Sequence, residues 1–416
     1  MKFGGTSVAD AERLRRAAAR IVAKREAGHR VVAVLSARGA TTDELIAMAE
    51  EVSPTPDPRE MDMLLSTGER ISCALCAMAI HDLGHEALSL TGSQAGIVTD
   101  TSHTKARILD VRAARITEAL DNEKIVLVAG FQGVSTSHDV TTLGRGGSDT
   151  TAVAVAAALG AEVCEIYTDV AGVFSADPRI VPNARKLAVV SFEEMLEMSA
   201  SGAGVLQLRS VEYARSHGVR IHCRSSFDDG PGTVVVSEEE TMERPLVTAV
   251  THSTAETRIT LLGVPDEPGI AGRIFRALAD ANVNVDMIIQ NEPLLDGRRA
   301  DMSFTVPRED GRIARKALDE IVGELGIEHV AAEESMGKVS IVGAGMRSHP
   351  GVAATVFTVL GDAGINIEMI STSPIKISCV IAGDRVGEAV RGLHDAFGLG
   401  EDPDTIKHED PFGDPR

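Results

Sequence analysis

The stretch Thr142-Leu-Gly-Arg-Gly-Gly-Ser-Asp149 runs directly into Thr150-Thr-Ala-Val-Ala-Val-Ala-Ala-Ala-Leu-Gly160. The β-branched residues at 140–142 predict a short strand, and the small residues after Asp149 predict a helix that Gly160 ends. The three glycines in the loop between them let the backbone approach a ligand without a Cβ in the way. This pattern predicts an anion site at a helix start. A glycine-rich turn that only joins strand to helix is the alternative, because such loops are weakly specific.

The side chains of this loop suit a small charged ligand. Arg145 is its strong cation, and the planar guanidinium matches a carboxylate or a phosphate. Ser148 and Asp149 lie where they could cap the helix or reach across the loop. A cap with no further role is the alternative for Asp149.

Strands and helices alternate around this loop. Apolar runs at 31–36, 125–129 and 163–168 predict buried strands of a parallel sheet, and helices are expected over 9–27 and 60–79. This order predicts a doubly wound α/β domain, in which ligands bind beyond the carboxyl ends of the strands. The glycine and polar clusters all fall at such ends.

Composition excludes several classes of protein. The 416 residues are 44% hydrophobic and 25% charged, which describes a folded globular chain. The net charge of −20 repels nucleic acid and anionic lipid, and we expect neither as a partner. No apolar run in the sequence reaches the roughly 20 residues of a membrane span, and no signal peptide is evident, so we expect a cytoplasmic protein.

Five cysteines form no disulfide framework. Cys73-x-x-Cys76 could suggest zinc or redox chemistry, but no second metal pair accompanies it, and its neighbours are apolar. We expect a buried helix face and no metal site there.

The C-terminal part contains an internal repeat. Residues 268–287 match residues 350–369, and each copy follows an apolar strand, at 259–262 and 339–342. Two tandem strand-helix-strand units predict two similar small domains packed together. We divide the chain into a first domain at 1–237, a charged linker at 238–245, and two modules at 246–335 and 336–416.

With the repeat included, the chain resembles the aspartate kinases of the amino-acid-kinase family over nearly its whole length. The repeat is similar to a pair of ACT domains. The strings that carry the resemblance are Lys2-Phe-Gly-Gly-Thr-Ser7, Thr67-Gly-Glu-Arg70, Gly130-Phe-Gln-Gly133, Gly144-Arg-Gly-Gly-Ser-Asp149 and Thr168-Asp-Val-Ala-Gly-Val-Phe-Ser-Ala-Asp-Pro-Arg179. The implied fold is a doubly wound, mainly parallel α/β kinase domain followed by two intertwined ferredoxin-like α+β modules.

The resemblance implies phosphoryl transfer from ATP, with Mg²⁺, to the β-carboxylate of L-aspartate. It places Lys2 near the transferring phosphate and Asp149 beside Lys2 or the metal, as the catalytic pair. The residues implied for aspartate are Thr42, Glu69, Phe131, Arg145 and Ser148. The residues implied for ATP are Lys2, Phe3, Gly4, Gly5, Tyr167, Thr168, Asp169, Phe174, Arg179 and Gly204.

The chain departs from the family pattern at three places. The family has a strand ahead of the Lys-Phe-Gly-Gly string, whereas here only Met1 precedes Lys2; either the start lies upstream or the sheet lacks a central strand. The family has lysine where this chain has Gly204. Ala171 and Phe174 replace an acidic residue and a tyrosine. A kinase that is slow or weak toward nucleotide is therefore expected.

The ACT resemblance implies regulation by lysine, threonine or both, and assembly into a homodimer or heterotetramer. The positions that match the effector contacts are Asp266, Asn284, Gln290 and Asn291 in the first copy, and Asn366 and Ile367 in the second. A pair of modules that serves only for dimerisation is the alternative.

Three functions remain open at this point: a regulated aspartate kinase, a related kinase for another amino acid such as glutamate, and an inactive regulatory or binding subunit. Arg145 with Glu69 favours an α-amino acid but does not measure its chain length.

Overall fold

The computed structural model describes residues 1–240, 246–291, 299–349 and 351–400. The linker residues 241–245 and the end of the second predicted module, 401–416, lie outside the described residues.

The first domain is an α/β layer structure. Its strands are β1 (Lys2–Phe3), β2 (Val32–Leu35), β3 (Ala87–Leu90), β4 (Ile97–Thr99), β5 (Ile108–Val111), β6 (Ile125–Ala129), β7 (Gln132–Ser135), β8 (Val140–Thr142), β9 (Cys164–Thr168), β10 (Val189–Ser191), β11 (Ile221–Ser225) and β12 (Thr233–Val236). Its α-helices are α1 (Ala11–Glu26), α2 (Thr41–Val52), α3 (Pro58–Leu65), α4 (Thr67–Asp82), α5 (Ala114–Asp121), α6 (Gly147–Leu159), α7 (Phe192–Ala200) and α8 (Leu208–His217).

An eight-stranded sheet organises this domain, in the order β10-β12-β11-β9-β1-β2-β6-β3. Neighbouring strands are parallel except β11 and β12. Strand β6 is buried along its whole length, as its continuous apolar run requires. The predicted mainly parallel α/β domain is confirmed, and the polar loops after β1, β2, β6 and β9 meet at one edge of the sheet.

One local prediction is confirmed and one needs correction. The short strand predicted at 140–142 is β8, which pairs antiparallel with β7 in a separate four-stranded sheet, β5-β4-β7-β8. The single helix predicted over 60–79 is two helices that break at Ser66, whose hydroxyl donates to the carbonyl of Met63. Such a bond competes with the helical hydrogen bonds, and the break sets the direction of α4.

The α3–α4 segment also has the length and hydropathy of a membrane span. Among the described residues, Pro58–Asp82 is one helical stretch that passes this test, with 50% of its most apolar window buried inside the fold. It carries the charged side chain of Glu69, which is 3% exposed. These features are those of a core helix.

The central strand of the sheet is present but short, so the expectation that it could be missing is wrong. Strand β1 pairs with β2 and β9, and Lys2 lies opposite both Val34 and Ile166. Behind Met1, a cavity of about 570 Å³ lies between the first residues of β2 and β9, lined in part by Val32 and Cys164.

We expect this cavity to accommodate additional residues at the N-terminal end of β1. In the register of β1, a residue placed before Met1 would lie between Val32 and Cys164. A Val-Ile-Val extension before Met1 should raise the melting temperature by about 4 to 8 °C, since burying three apolar side chains outweighs their ordering by about 2 kcal/mol. A Gly-Ser-Gly extension of equal length is the control. Equal melting temperatures for the two extensions would contradict the expectation.

The C-terminal modules share one sheet, in the order β14-β15-β13-β16-β18-β17. The elements are β13 (Ala249–Pro265), α9 (Ile270–Asp280), β14 (Ile288–Gln290), β15 (Arg299–Pro307), α10 (Gly311–Asp319), α11 (Val322–Leu325), β16 (His329–Val342), α12 (Gly351–Asp362), β17 (Met369–Ser373), β18 (Lys376–Ala382) and α13 (Val386–Ala396). Strands β13 and β16 run through both modules, so the two are intertwined.

Candidate active site

An ion pair joins the two predicted catalytic residues. Lys2 ends in the cleft from β1, and Asp149 lies in the first turn of α6. The Lys2 Nζ and Asp149 Oδ1 atoms are 2.5 Å apart, and the side chains are 11% and 9% exposed. Because the N-terminus of a helix carries a partial positive charge, the ammonium and the first turn of α6 together form a site for an anion.

The loop after β1 is held tightly against its neighbours. The Gly4 N–H donates to the Tyr167 carbonyl at 3.3 Å, across to the end of β9. A Cβ on Gly5 would meet the Ala37 carbonyl oxygen at 2.8 Å, closer than side chains approach. Glycine is therefore required at position 5, and the loop after β1 lies directly on the loop after β2.

Glu69 is a buried carboxylate with a free oxygen. Its Oε1 accepts from the Ala37 N–H at 3.2 Å, while Oε2 is buried and has no hydrogen-bond partner among the described residues. Burial raises the pKa of Glu69 to about 7. A buried carboxylate oxygen without a partner suits a cationic ligand that supplies the missing donor.

The remaining predicted aspartate residues enclose the same edge of the sheet. Ser148 lies against the end of β6, where a Cβ on Gly130 would meet its Oγ at 2.7 Å. Phe131 turns the chain from β6 into β7 with a positive φ of 66°. Thr42 is partly buried in the first turn of α2. Direct contacts thus link the surroundings of Lys2, Glu69 and Ser148 into one cleft.

Arg145 is placed differently. It lies on the glycine loop, its side chain is 81% exposed, and its Nη2 is 3.4 Å from Oε2 of Glu309 in the first C-terminal module. The guanidinium is therefore at the rim of the cleft, beside a carboxylate of another domain.

The residues predicted for nucleotide divide into two groups. Phe3 and Tyr167 stack at 4.9 Å in the core, each 1% exposed, and the Tyr167 hydroxyl donates to Glu165. At the rim, the Thr168 hydroxyl donates to the exposed Asp169. The core pair can therefore meet a nucleotide only through backbone atoms.

The other nucleotide positions lie further along the chain. Arg179 is exposed and pairs with Asp177 at 2.6 Å, and this hydrogen bond is the main cause of the lowered pKa of Asp177. Phe174 packs partly buried against the core of the second module. Gly204 lies exposed in the turn between α7 and α8, where an added Cβ would meet nothing within 4 Å.

Asp62 is a site residue that the sequence interpretation missed. It is fully buried and accepts from the Thr142 hydroxyl at 2.5 Å, the Thr104 N–H at 3.1 Å and His103 Nδ1 at 2.7 Å. These bonds fix the end of β8 and so the start of the glycine loop. A single acidic residue in the apolar run 61–65 was the available signal.

The predicted effector residues are not brought together within this chain. Gln290 belongs to β14 and Asn291 follows it, whereas Asn366 and Ile367 precede β17; β14 and β17 are the opposite edges of the sheet. Asp266 and Asn284 are exposed on the turns around α9. A site that used both sets would need a second module from another copy.

The described residues contain no cluster of three or more metal-binding side chains. Cys73 and Cys76 are buried in α4, and burial raises the pKa of the Cys76 thiol to about 12. The cleft nevertheless suits a nucleotide with its magnesium, since Mg²⁺ in kinases is held by one or two carboxylates plus phosphate oxygens. Asp149, in the first turn of α6, and Asp169, directly after β9, would be the carboxylates to hold it.

Comparison with known proteins agrees with this architecture. The amino acid kinase family matches residues 1–225, and the ACT domain family matches residues 250–321 and 339–397. The aspartokinase of Mycolicibacterium smegmatis is 57% identical over 97% of both chains. The aspartokinase of Corynebacterium glutamicum is 53% identical over 97% of both chains.

Solved structures give the same result. The R-state of E. coli aspartokinase III, in complex with aspartate and ADP, has a TM-score of 0.82 at 26% identity and covers 95% of this chain and 98% of that chain. The T-state of the same enzyme, in complex with lysine and aspartate, has a TM-score of 0.73 at 26% identity with the same coverage. From its domains, its relatives and the Lys2–Asp149 cleft, the chain belongs to the aspartokinases of the amino acid kinase family.

Proposed function

We propose that this kinase transfers the γ-phosphate of ATP to the β-carboxylate of L-aspartate, giving 4-phospho-L-aspartate and ADP. The observation that carries the proposal is the cleft itself. A cation at the N-terminus of α6, a glycine loop, and the buried Glu69 carboxylate lie at one edge of the sheet. Two ligands fit this set: a phosphate at Lys2, and an ammonium at Glu69.

The reaction asks the protein to align two anions and to neutralise the charge between them. The N–H group of Gly5 and the ammonium of Lys2 hold the phosphate oxygens, while the Gly4 N–H remains bonded to the Tyr167 carbonyl. Glu69 takes the α-ammonium of aspartate, and Arg145 takes its α-carboxylate through a bidentate pair. The β-carboxylate then attacks the γ-phosphorus as its bond to the ADP oxygen breaks. A carboxylate nucleophile has no proton to remove, so Asp149 orients Lys2 and is not a base. Mg²⁺ bound with ATP would supply further charge neutralisation.

An ADP-release assay with aspartate, glutamate or no acceptor tests the proposal. We expect release above background with aspartate only. Release with glutamate would favour the sibling kinase, and no stimulation by any acceptor would favour a binding subunit.

Gly204 gives a prediction for catalysis, because lysine at this place in the family supplies a charge near the nucleotide. Gly204→Lys should raise kcat/KM for ATP about tenfold, since a charge-assisted hydrogen bond contributes about 1.5–3 kcal/mol. The added side chain meets no neighbour at its Cβ. Gly204→Ala is the control and should leave kcat/KM unchanged. No gain with lysine would mean that another group already serves the phosphates.

Glu309 gives a prediction for substrate affinity. Its carboxylate lies 3.4 Å from Arg145, the group that we assign to the α-carboxylate of aspartate. Glu309→Gln should lower KM for aspartate about two- to fivefold, since exposed ion pairs contribute up to about 1 kcal/mol. Asp310→Asn, on the same turn, is the control. An unchanged KM in Glu309→Gln would show that the pair does not compete with substrate.

We further propose that the product enters lysine, threonine and methionine synthesis in the cytoplasm, and that lysine, threonine or both regulate the enzyme through the ACT modules. The separation of the effector residues to opposite edges of the sheet favours a dimer or heterotetramer that completes the site. The lysine complex of E. coli aspartokinase III supports an amino-acid effector.

A further inference from the structure

The connection from β9 to β10, residues 169–188, carries the candidate nucleotide residues, and we call it the nucleotide loop. Its apolar side chains do not pack into the kinase domain alone. Ala176, Val181 and Ala184 belong to the hydrophobic core of the second module, together with Leu393 of α13 and Leu399. The loop that borders the nucleotide site is therefore part of the module that follows it in sequence by about 150 residues.

Ser175 is the polar centre of this junction. Its Oγ lies 3.0 Å from Nε2 of His394, donates to the Leu399 carbonyl at 3.1 Å, and accepts from the Arg185 N–H at 2.9 Å. Its carbonyl accepts from the Val250 N–H at 2.7 Å. Ser175 and His394 are both fully buried. One residue of the nucleotide loop thus bonds to β13, to α13 and to the chain after α13.

These contacts favour one tautomer of His394. A serine hydroxyl has one proton and two lone pairs, and that proton goes to the Leu399 carbonyl. With the hydroxyl proton directed to Leu399, the His394 Nε2 is assigned as the donor of the 3.0 Å contact, which corresponds to the neutral Nε2–H tautomer. This agrees with burial lowering the pKa of His394 and with the absence of any described hydrogen-bond partner at Nδ1. A buried network in which the Ser175 hydroxyl makes three contacts permits only a narrow range of positions for that side chain.

We propose that Ser175 and His394 are positioning residues for ATP, which join the nucleotide loop to the last helix of the second module. This inference rests on the proposed kinase function. If this link holds, a shift of α13 moves Ser175. Because Asp169 and Arg179 lie in the same loop on either side of Ser175, both move with it. The position of the second module then determines the affinity for nucleotide, while the residues that bind the substrate aspartate keep their positions.

The test compares Ser175→Ala, His394→Leu and the double variant in the full chain. Each single change should raise KM for ATP about five- to twentyfold, the range expected from one buried hydrogen bond, with KM for aspartate changed less than twofold. The double variant should resemble the single ones, since both remove the same link. Ser340→Ala is the matched control, because Ser340 and Ser378 form a buried hydroxyl pair at 2.7 Å in the sheet of the same module. It should lower the melting temperature similarly and leave KM for ATP unchanged.

Equal increases in KM for both substrates, or the same KM for ATP in His394→Leu and Ser340→Ala, would overturn the proposal. His394→Gln, which keeps a donor, should restore KM for ATP and keeps the test decisive if His394→Leu does not fold. ADP binding measured by calorimetry separates the two claims. A wild-type protein that binds ADP but transfers nothing to aspartate contradicts the function alone, whereas wild-type ADP affinity in His394→Leu contradicts the positioning role.

Discussion

Replacing Lys2 with glutamine is expected to lower kcat about 100- to 1000-fold, the effect typical of removing one preorganised charged donor from a transition state. The ammonium lies 2.5 Å from Asp149 in a mostly buried position, so it is fixed before substrate binds. Its charge is needed most when negative charge spreads over the transferring phosphoryl oxygens. KM for aspartate should change little.

Lys24→Gln is the matched control. Lys24 lies in the same domain and pairs with Glu165 at 3.4 Å, but it lines the cavity behind Met1 at the opposite edge of the sheet. Its replacement should leave kcat within twofold of the wild type. Similar losses in both variants would mean that Lys2 acts through general stability and not on the reacting phosphate.

Replacing Glu69 with glutamine is expected to lower kcat/KM for aspartate at least 100-fold while making the free protein more stable at pH 8. The loss follows because a neutral amide cannot pair with the α-ammonium of aspartate. The gain follows from the buried, partly unpaired carboxylate, which is costly without its ligand. The unpaired Glu69 carboxylate lowers the free energy of unfolding of the free protein, and its pairing with the α-ammonium of aspartate restores that stability when substrate binds.

The pH dependence of both effects has a defined sign. The pKa of Glu69 is about 7 in the folded protein against an ordinary value of 4.5, so the folded state binds this proton more tightly than the unfolded chain. The free energy of unfolding therefore falls as pH rises from about 4.5 to about 7, by about 3 kcal/mol at most. Glu69→Gln should be more stable than wild type by about 1 to 3 kcal/mol at pH 8, with little difference at pH 4.

Denaturant unfolding at the two pH values and initial rates from pH 6 to 8 provide the measurements. In the wild type, kcat/KM for aspartate should rise with pH up to about 7 as Glu69 ionises. Glu51→Gln, an exposed change in α2, should reproduce neither effect. A Glu69→Gln variant that keeps wild-type affinity for aspartate would remove Glu69 from the site.

Much of the cleft could be predicted from sequence because its residues follow strands directly. Lys2, Thr168 and Asp169 lie at or just after strand ends, and parallel strands bring those ends to one edge. The second sheet could not be predicted in this way. A β-branched run as short as 140–142 does not indicate which strand it pairs with. Only the structure shows that β8 pairs with β7.

The polar networks were missed for the opposite reason, which is distance along the chain. Asp62 bonds to Thr142, 80 residues away, and Ser175 bonds to His394, 219 residues away. Neither hydrogen bond could be predicted from the spacing of its two residues in the sequence. The loop predicted Arg145 as a cation for a carboxylate or phosphate, and the family resemblance implied aspartate as its ligand, but nothing in the sequence indicated that Glu309 would lie beside it.

The most direct measurement is to trap the product itself. Hydroxylamine added to enzyme, ATP and aspartate converts an acyl phosphate to a hydroxamate, whose amount reports transfer to a carboxyl group and not hydrolysis. We expect hydroxamate from aspartate in the wild type, and almost none in Lys2→Gln or Glu69→Gln at equal protein concentration. Equal hydroxamate in the wild type and in both variants would contradict the assignment of this cleft as the place where the two anions meet.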